Sequence, residues 1–194
     1  MSHIPKILHQ IWVGEHPFPE AYRELQQSWI RHHPEWQLMF WTEDNLPAGL
    51  RRTEALERLR IPAERADMLR LEVLYKFGGL YVDADMVCYR SLEPLLQGQD
   101  LVVAAKHSGR IQNAFIASSR HNRIIAEVID ALDPVEYASI DKNRTGPAKL
   151  ESVLQGHLPE ILVLDPDLIY PEEDQEGEQA YCRHLGHGTW MDRE

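Results

Sequence analysis

The chain of 194 residues is 43% hydrophobic and 26% charged. That is enough apolar content for a folded core and enough length for one domain over residues 1–194. Acidic residues outnumber basic ones, 31 to 20, for a net charge of -11. This argues against a general binder of phosphate backbones, so no nucleic-acid partner is expected, and leaves a local basic pocket open. The longest apolar runs, such as Leu101 to Ala105, are too short to cross a membrane. The N-terminal Met1-Ser2-His3-Ile4-Pro5-Lys6 has no apolar stretch of signal-peptide type. Two cysteines, Cys88 and Cys182, are too few for a disulfide scaffold or a structural zinc site, so a reducing cytoplasm is the expected location.

Strand and helix patterns alternate along the chain. Lys6 to Val13 is apolar and β-branched and ends at Gly14, which predicts a first strand. Glu20 to His32 predicts a helix with Tyr22, Leu25, Trp29 and Ile30 on one face, stopped before Pro34. Trp36 to Trp41 predicts a second strand, and Thr42 to Asn45 a turn or helix cap. Leu50 to Leu59 predicts a short helix. Pro62 fits the first turn of the next helix, where a missing N–H costs nothing. That helix is expected to run to about Lys76, with Ala66, Leu69, Val73, Leu74 and Phe77 facing the core. Gly78-Gly79 is expected to stop it in the left-handed cap conformation. Leu80 to Val82 then enters a strand ending in Asp83-Ala84-Asp85. Leu101 to Ala105, Ala114 to Ala117 and Ile161 to Leu164 predict further strands. Arg123 to Leu132 and Pro147 to Leu154 predict helices, and Glu172 to Glu178 an acidic loop. Alternation of this kind implies an α/β fold with a mostly parallel sheet flanked by helices.

The strongest chemical signal is Gly78-Gly79-Leu80-Tyr81-Val82-Asp83-Ala84-Asp85. Carboxylates two residues apart at a strand end point to one side. Close and unpaired they repel, so such a pair suits a cation beside or between them. A hard divalent ion, magnesium or manganese, fits oxygen ligands of this type and can neutralise a leaving phosphate. The plain alternative is two solvated turn aspartates. Upstream, Asp67 and Arg70 lie one helical turn apart and can face one site. The guanidinium can hold a phosphate in a forked pair of hydrogen bonds, and the aspartate can accept from sugar hydroxyls. The alternative there is an ion pair internal to the helix. His9 is expected to be a packed core histidine. His32, His33 and His107 are expected at the surface, and Trp29, Trp36 and Trp41 in the core.

Three ordered segments carry a family resemblance: Ile4 to Gly14, Ala66-Asp67-Met68-Leu69-Arg70, and Tyr75 to Asp85. With Ile111 to Ala117, Thr145-Gly146-Pro147 and a terminal His184…Thr189-Trp190, the chain resembles the DXD-motif sugar-binding glycosyltransferases. That group includes initiating α-mannosyltransferases, capsular polysaccharide transferases and, more distantly, the glucosyltransferase domains of large clostridial toxins. The resemblance implies a GT-A fold with Rossmann-like nucleotide-sugar binding. It implies hexose transfer from a UDP- or GDP-sugar to a hydroxyl, with a manganese or magnesium cofactor and retention of anomeric configuration. By position, Trp12 resembles the aromatic that stacks on the donor base, Ile11 and Val13 the backbones lining that pocket, and Tyr81 a further base contact. Asp67 resembles the residue holding sugar hydroxyls, and Arg70 the contact to sugar and phosphate. Asp83 resembles the ribose and water-mediated metal contact, and Asp85 the direct metal ligand. Asn113 falls where relatives line the sugar pocket, and Thr145 and Gly146 where a loop approaches the acceptor.

The C-terminal part departs from the family pattern by offering two histidines. His184 fits best as metal ligand by its spacing from Trp190, with His187 as the fallback. Thr189 stands where relatives have serine, and Trp190 would cover the pyrophosphate. No side chain stands out as a nucleophile, so the resemblance favours a front-side mechanism in which the leaving phosphate helps deprotonate the acceptor. The expected acceptor is a glycan, a lipid-linked sugar or a protein hydroxyl in surface glycan synthesis. Peripheral association with the inner membrane face is expected by analogy only. Two other readings remain. Asp83-Ala84-Asp85-Met86-Val87 fits the nucleophile motif of a haloacid-dehalogenase-type phosphatase, with Asp83 attacking phosphorus. A relative that binds nucleotide sugars without turnover is the other.

Overall fold

The computed structural model describes residues 4–132, 145–172 and 179–187. A central sheet has the order β2-β1-β3-β6-β5-β7. Its strands are β1 (Ile7–Ile11), β2 (Gln37–Trp41), β3 (Gly79–Val82), β5 (Leu101–Ala105), β6 (Ile111–Ser118) and β7 (Leu162–Leu164). β6 runs against its neighbours β3 and β5, and the remaining pairs are parallel. The mostly parallel sheet read from the alternation is therefore present, with one reversed strand inside it. A second sheet pairs β4 (Met86–Cys88) with β8 (Cys182–His184), antiparallel. Neither of these two strands was expected from sequence. Cys88 and Cys182 face each other in that pair as free, buried thiols. Burial pushes the Cys88 thiol up to about 12, which keeps it protonated and inert.

Helices cover both faces. On one lie α2 (Thr53–Arg58), α3 (Pro62–Phe77), α5 (Arg123–Ala131) and α6 (Pro147–Leu154). On the other lie α1 (Glu20–His32), α4 (Glu93–Leu96), α7 (Pro166–Ile169) and the small sheet. β3 divides its side chains between the layers, as the period of two requires: Leu80 and Val82 join the second core and Tyr81 the first. α1 spans the residues its pattern predicted, and its Trp29 is buried, donating from Nε1 to the Met86 carbonyl at 2.8 Å. α2 is shorter than expected, because Glu72 reaches up from α3 to accept the backbone N–H groups of Arg51 and Arg52 at 2.8 Å each. α5 is capped by Asn122, whose Oδ1 accepts from Ile124 N at 2.9 Å.

Pro62 opens α3 as anticipated. Leu69, Val73 and Leu74 are fully buried, whereas Ala66 and Phe77 are half-buried at the margin of the same core. The glycine pair behaves differently from the left-handed cap expected. Gly78 has φ 65 and ψ -170, a region open only to glycine. A Cβ on Gly79 would lie 2.5 Å from the Ile7 carbonyl oxygen. These glycines therefore let β3 lie against β1. Gly79→Ala is expected to cost about 3 kcal/mol, since φ is +107 there and the clash is with backbone. Urea denaturation checks this, and a loss below about 1 kcal/mol would contradict it.

His9 is packed in the core, as expected, and is fully buried. Trp41 Nε1 donates to its Nδ1 at 3.1 Å, and its Nε2 lies 2.8 Å from the Gly78 carbonyl, so the proton sits on Nε2. Burial lowers its pKa to about 4. The unfolded chain thus binds a proton that the folded one refuses, and stability falls as pH drops from about 6.5 towards 4. Between pH 7 and pH 5 the loss from His9 alone is about 2 kcal/mol. His9→Gln should flatten that slope in urea titrations at the two pH values. His33 corrects the surface expectation. It is buried, with Nδ1 3.0 Å from the Trp29 carbonyl and Nε2 accepting Leu92 N at 2.9 Å. His107 is exposed as read, and Trp36 is half-buried with its indole N–H on Glu93.

Candidate active site

Parallel strands end on one side of a sheet, and that edge is where open α/β folds collect their functional groups. β1 and β3 deliver Trp12 and Asp83-Ala84-Asp85 to it. The reversed β6 begins there, which brings Asn113 alongside: Asp83 N donates to the Ala114 carbonyl at 2.9 Å. α3 returns to β3 through the tight Gly78 turn, so its middle turns, bearing Asp67 and Arg70, lie over the same edge.

Arg70 organises the centre. It is 5% exposed. Its Nη2 lies 2.9 Å from Asp67 Oδ1, and its Nη1 donates to Asp83 Oδ1 at 3.0 Å and to the Asn113 carbonyl at 2.7 Å. The guanidinium also stands 4.6 Å from the Tyr81 ring centre. Burial alone would lower its pKa, but Tyr81, Asp83 and Asp67 outweigh burial and hold it charged. The ion pair weighed as the plain reading of Asp67 and Arg70 is thus real. It extends across to the DXD motif, which a pair internal to the helix would not do.

Asp67 also accepts Asn113 Nδ2 at 2.7 Å, and Thr145 Oγ1 lies 3.4 Å from its second oxygen. Burial raises its pKa against the pull of Arg70, and the Asp83 charge adds to the rise. Gly146, buried beside Thr145, caps α6. Tyr81 donates its hydroxyl to Asp83 Oδ1 at 2.7 Å. One Asp83 oxygen is therefore held by Arg70 and Tyr81, and the other faces His184 Nε2 at 3.8 Å.

Asp85 and His184 complete the group, with Nε2 3.0 Å from Asp85 Oδ1. β8 places His184 directly opposite Met86 in register, one residue past Asp85. One ligand atom from each of Asp83, Asp85 and His184 lies within 4.8 Å of the others. Two carboxylates and an imidazole at that spacing can hold one metal ion. Burial would raise the Asp85 pKa, but the His184 bond and charge and the His187 N–H outweigh it and lower it. His187 is not part of this cluster. Its backbone N–H donates to Asp85 Oδ2 at 3.0 Å instead. Tyr170, not singled out in the sequence, is buried with its ring edge-on to His184 at 6.1 Å. Its place at the end of the short α7 leaves no periodic signal.

Ile11 and Val13 are buried and Trp12 half-buried. The indole donates to the His16 carbonyl at 2.8 Å and meets Phe18 and Tyr22 edge-on. Trp190 and Thr189 lie outside the described residues, as does most of the acidic loop after Glu172. The phosphatase reading gains no support here. One Asp83 oxygen is engaged by Arg70 and Tyr81 and the other faces His184, and the fold matches glycosyltransferase domains.

The profile described as the glycosyltransferase sugar-binding region containing the DXD motif matches residues 19–102. That span holds Asp67, Arg70, Tyr81, Asp83 and Asp85. Inositol phosphoceramide mannosyltransferase 3 of Schizosaccharomyces pombe is 31% identical over 131 residues, covering 65% of this chain and 36% of the relative. Mannosyl phosphorylinositol ceramide synthase SUR1 of Saccharomyces cerevisiae is 35% identical over 98 residues, 48% of this chain and 25% of the relative. The chain thus spans about a third or less of these two relatives. Among solved structures, the UDP-bound glycosyltransferase domain of the YGT toxin superposes with a TM-score of 0.65 at 11% identity, covering 84% of this chain and 79% of that one. The PaToxG glycosyltransferase gives 0.63 at 18% identity, over 80% and 70%. Residues 19–102 therefore match the DXD-containing sugar-binding region of glycosyltransferases, and the chain has the GT-A fold of glycosyltransferase domains.

Proposed function

We propose that the protein transfers a hexose from a UDP- or GDP-sugar to a hydroxyl acceptor, with retention of configuration and with a divalent metal. The observation that carries this reading is the single network joining Asp67, Arg70 and Asp83 to Asp85 and His184 at one sheet edge. Asp83, Asp85 and His184 would hold the ion. The imidazole favours manganese over magnesium, which prefers oxygen alone. What the ion supplies when bound is positive charge beside the departing diphosphate.

The chain's own residues do the rest. Arg70, permanently charged and pre-positioned, stabilises negative charge on the leaving phosphate without reorganising. Asp67 and Asn113 accept and donate to donor-sugar hydroxyls. Trp12 receives the base, with Ile11, Val13 and Tyr81 as its further contacts, and Thr145 and Gly146 border the acceptor side. Trp190 would cover the pyrophosphate. The names of the yeast relatives make mannose the first sugar to test and a lipid-linked acceptor the first acceptor. Among the described residues no helix is long and apolar enough to cross a membrane.

Thermal unfolding with UDP, GDP and their common sugars, each with and without manganese, tests the reading. A ligand at a hundred times its dissociation constant adds about 2.7 kcal/mol. Manganese-dependent stabilisation with release of nucleotide from one sugar donor supports the transferase. Stabilisation with no turnover on any acceptor supports the binding-only relative. No response to any nucleotide sinks both.

A further inference from the structure

Asp85 has two oxygens, and the chain treats them differently. Oδ1 faces His184, while Oδ2 accepts the His187 N–H at 3.0 Å. The His187 ring then lies against Tyr22 of α1, stacked at 5.6 Å and 18°, with Nδ1 3.1 Å from the Tyr22 hydroxyl. Tyr22 is buried, and its ring also meets Trp12 edge-on at 5.8 Å and 90°. His187 itself is exposed, so burial of its own ring does not explain its place.

We infer that Tyr22 and His187 are positioning residues: through the His187 backbone they fix one oxygen of Asp85 and leave the other turned to His184 for a cation. This rests on the proposed metal site. Partners that orient a ligand typically change metal affinity 10- to 100-fold when removed. An arrangement made only for packing would affect folding and leave cation binding alone. The same tyrosine touches Trp12, so the proposed base-stacking position and the metal carboxylate share one support.

The test titrates Mn2+ into the full chain by electron paramagnetic resonance, alone and with excess UDP or GDP. Wild type is compared with Tyr22→Phe, His187→Ala and the double variant, with Asp85→Ala as control. Tyr22→Phe keeps the ring stack and loses only the hydroxyl. Each single variant is expected to weaken Mn2+ binding about tenfold, and the double variant no further, because both act through one link. Urea midpoints without metal should move little by comparison. Unchanged Mn2+ affinity in both single variants, or losses that multiply in the double, overturns the inference while leaving the metal site standing. Equal Mn2+ binding by wild type and Asp85→Ala overturns the metal site, and the inference with it. His187→Ala alters an exposed side chain, so the test survives even if Tyr22→Phe folds poorly.

Discussion

Asp85→Asn is expected to remove metal-dependent turnover, lowering it about 1,000-fold, while the metal-free protein remains folded. The scale follows from metal-assisted charge stabilisation, worth several kcal/mol, and from about 100- to 1,000-fold for a single lost electrostatic contact in other enzymes. Asn keeps the shape and one acceptor oxygen, so the His187 N–H can stay partnered. It lacks the negative charge that pairs with His184. Nucleotide alone should still stabilise the variant, through Arg70 and the Trp12 region, but manganese should add nothing. Turnover in manganese, read beside thermal unfolding with and without the ion, gives both halves. A variant that keeps its manganese response would remove Asp85 from the metal site.

Arg70→Met is expected to damage the fold as well as the chemistry, by about 3–5 kcal/mol. The guanidinium is nearly inaccessible and bonds Asp67, Asp83 and the Asn113 carbonyl. Without it two acidic groups, Asp67 and Asp83, face each other with no buried cation between them. Removing one partner of a buried ionic group costs far more than the group contributes when whole. Arg70→Lys should recover only part of the loss, because a single ammonium cannot copy the planar fork that serves these partners at once. Asp67→Asn in the Met background should restore some stability by deleting one stranded charge. Urea midpoints across the three variants decide the matter. A loss under about 1 kcal/mol for Arg70→Met would mean that the carboxylates are stabilised some other way.

Much of the fold was legible where a pattern repeats locally. α1 and α3 announce themselves through apolar spacing and, for α3, through Pro62 and the glycine stop. The acidic pair was visible because carboxylates after a buried strand are unusual company. The small sheet was invisible because each strand has three residues, too few to show a period, and its partner is far away in sequence. The same distance hid the choice between histidines. Spacing from Trp190 pointed to His184, and the strand register with Met86 is what places it at the carboxylates. His33 was misread because nothing in a His-His dipeptide reveals a buried backbone N–H at Leu92 waiting for an acceptor. The meaning of the glycine pair was half-read. The need for positive φ shows in sequence, whereas the close approach of Ile7 belongs to the tertiary structure.

The pairing of β4 with β8 sets an order of assembly. Translation makes Asp83 and Asp85 early, and 102 residues separate Asp85 from the His187 that holds its second oxygen. Asp83 and Asp85 precede both histidines in the chain, and Arg70 precedes them all. A cation site of the proposed kind would therefore be complete only once the distal strand β8 pairs with β4 and brings His184 to the carboxylates.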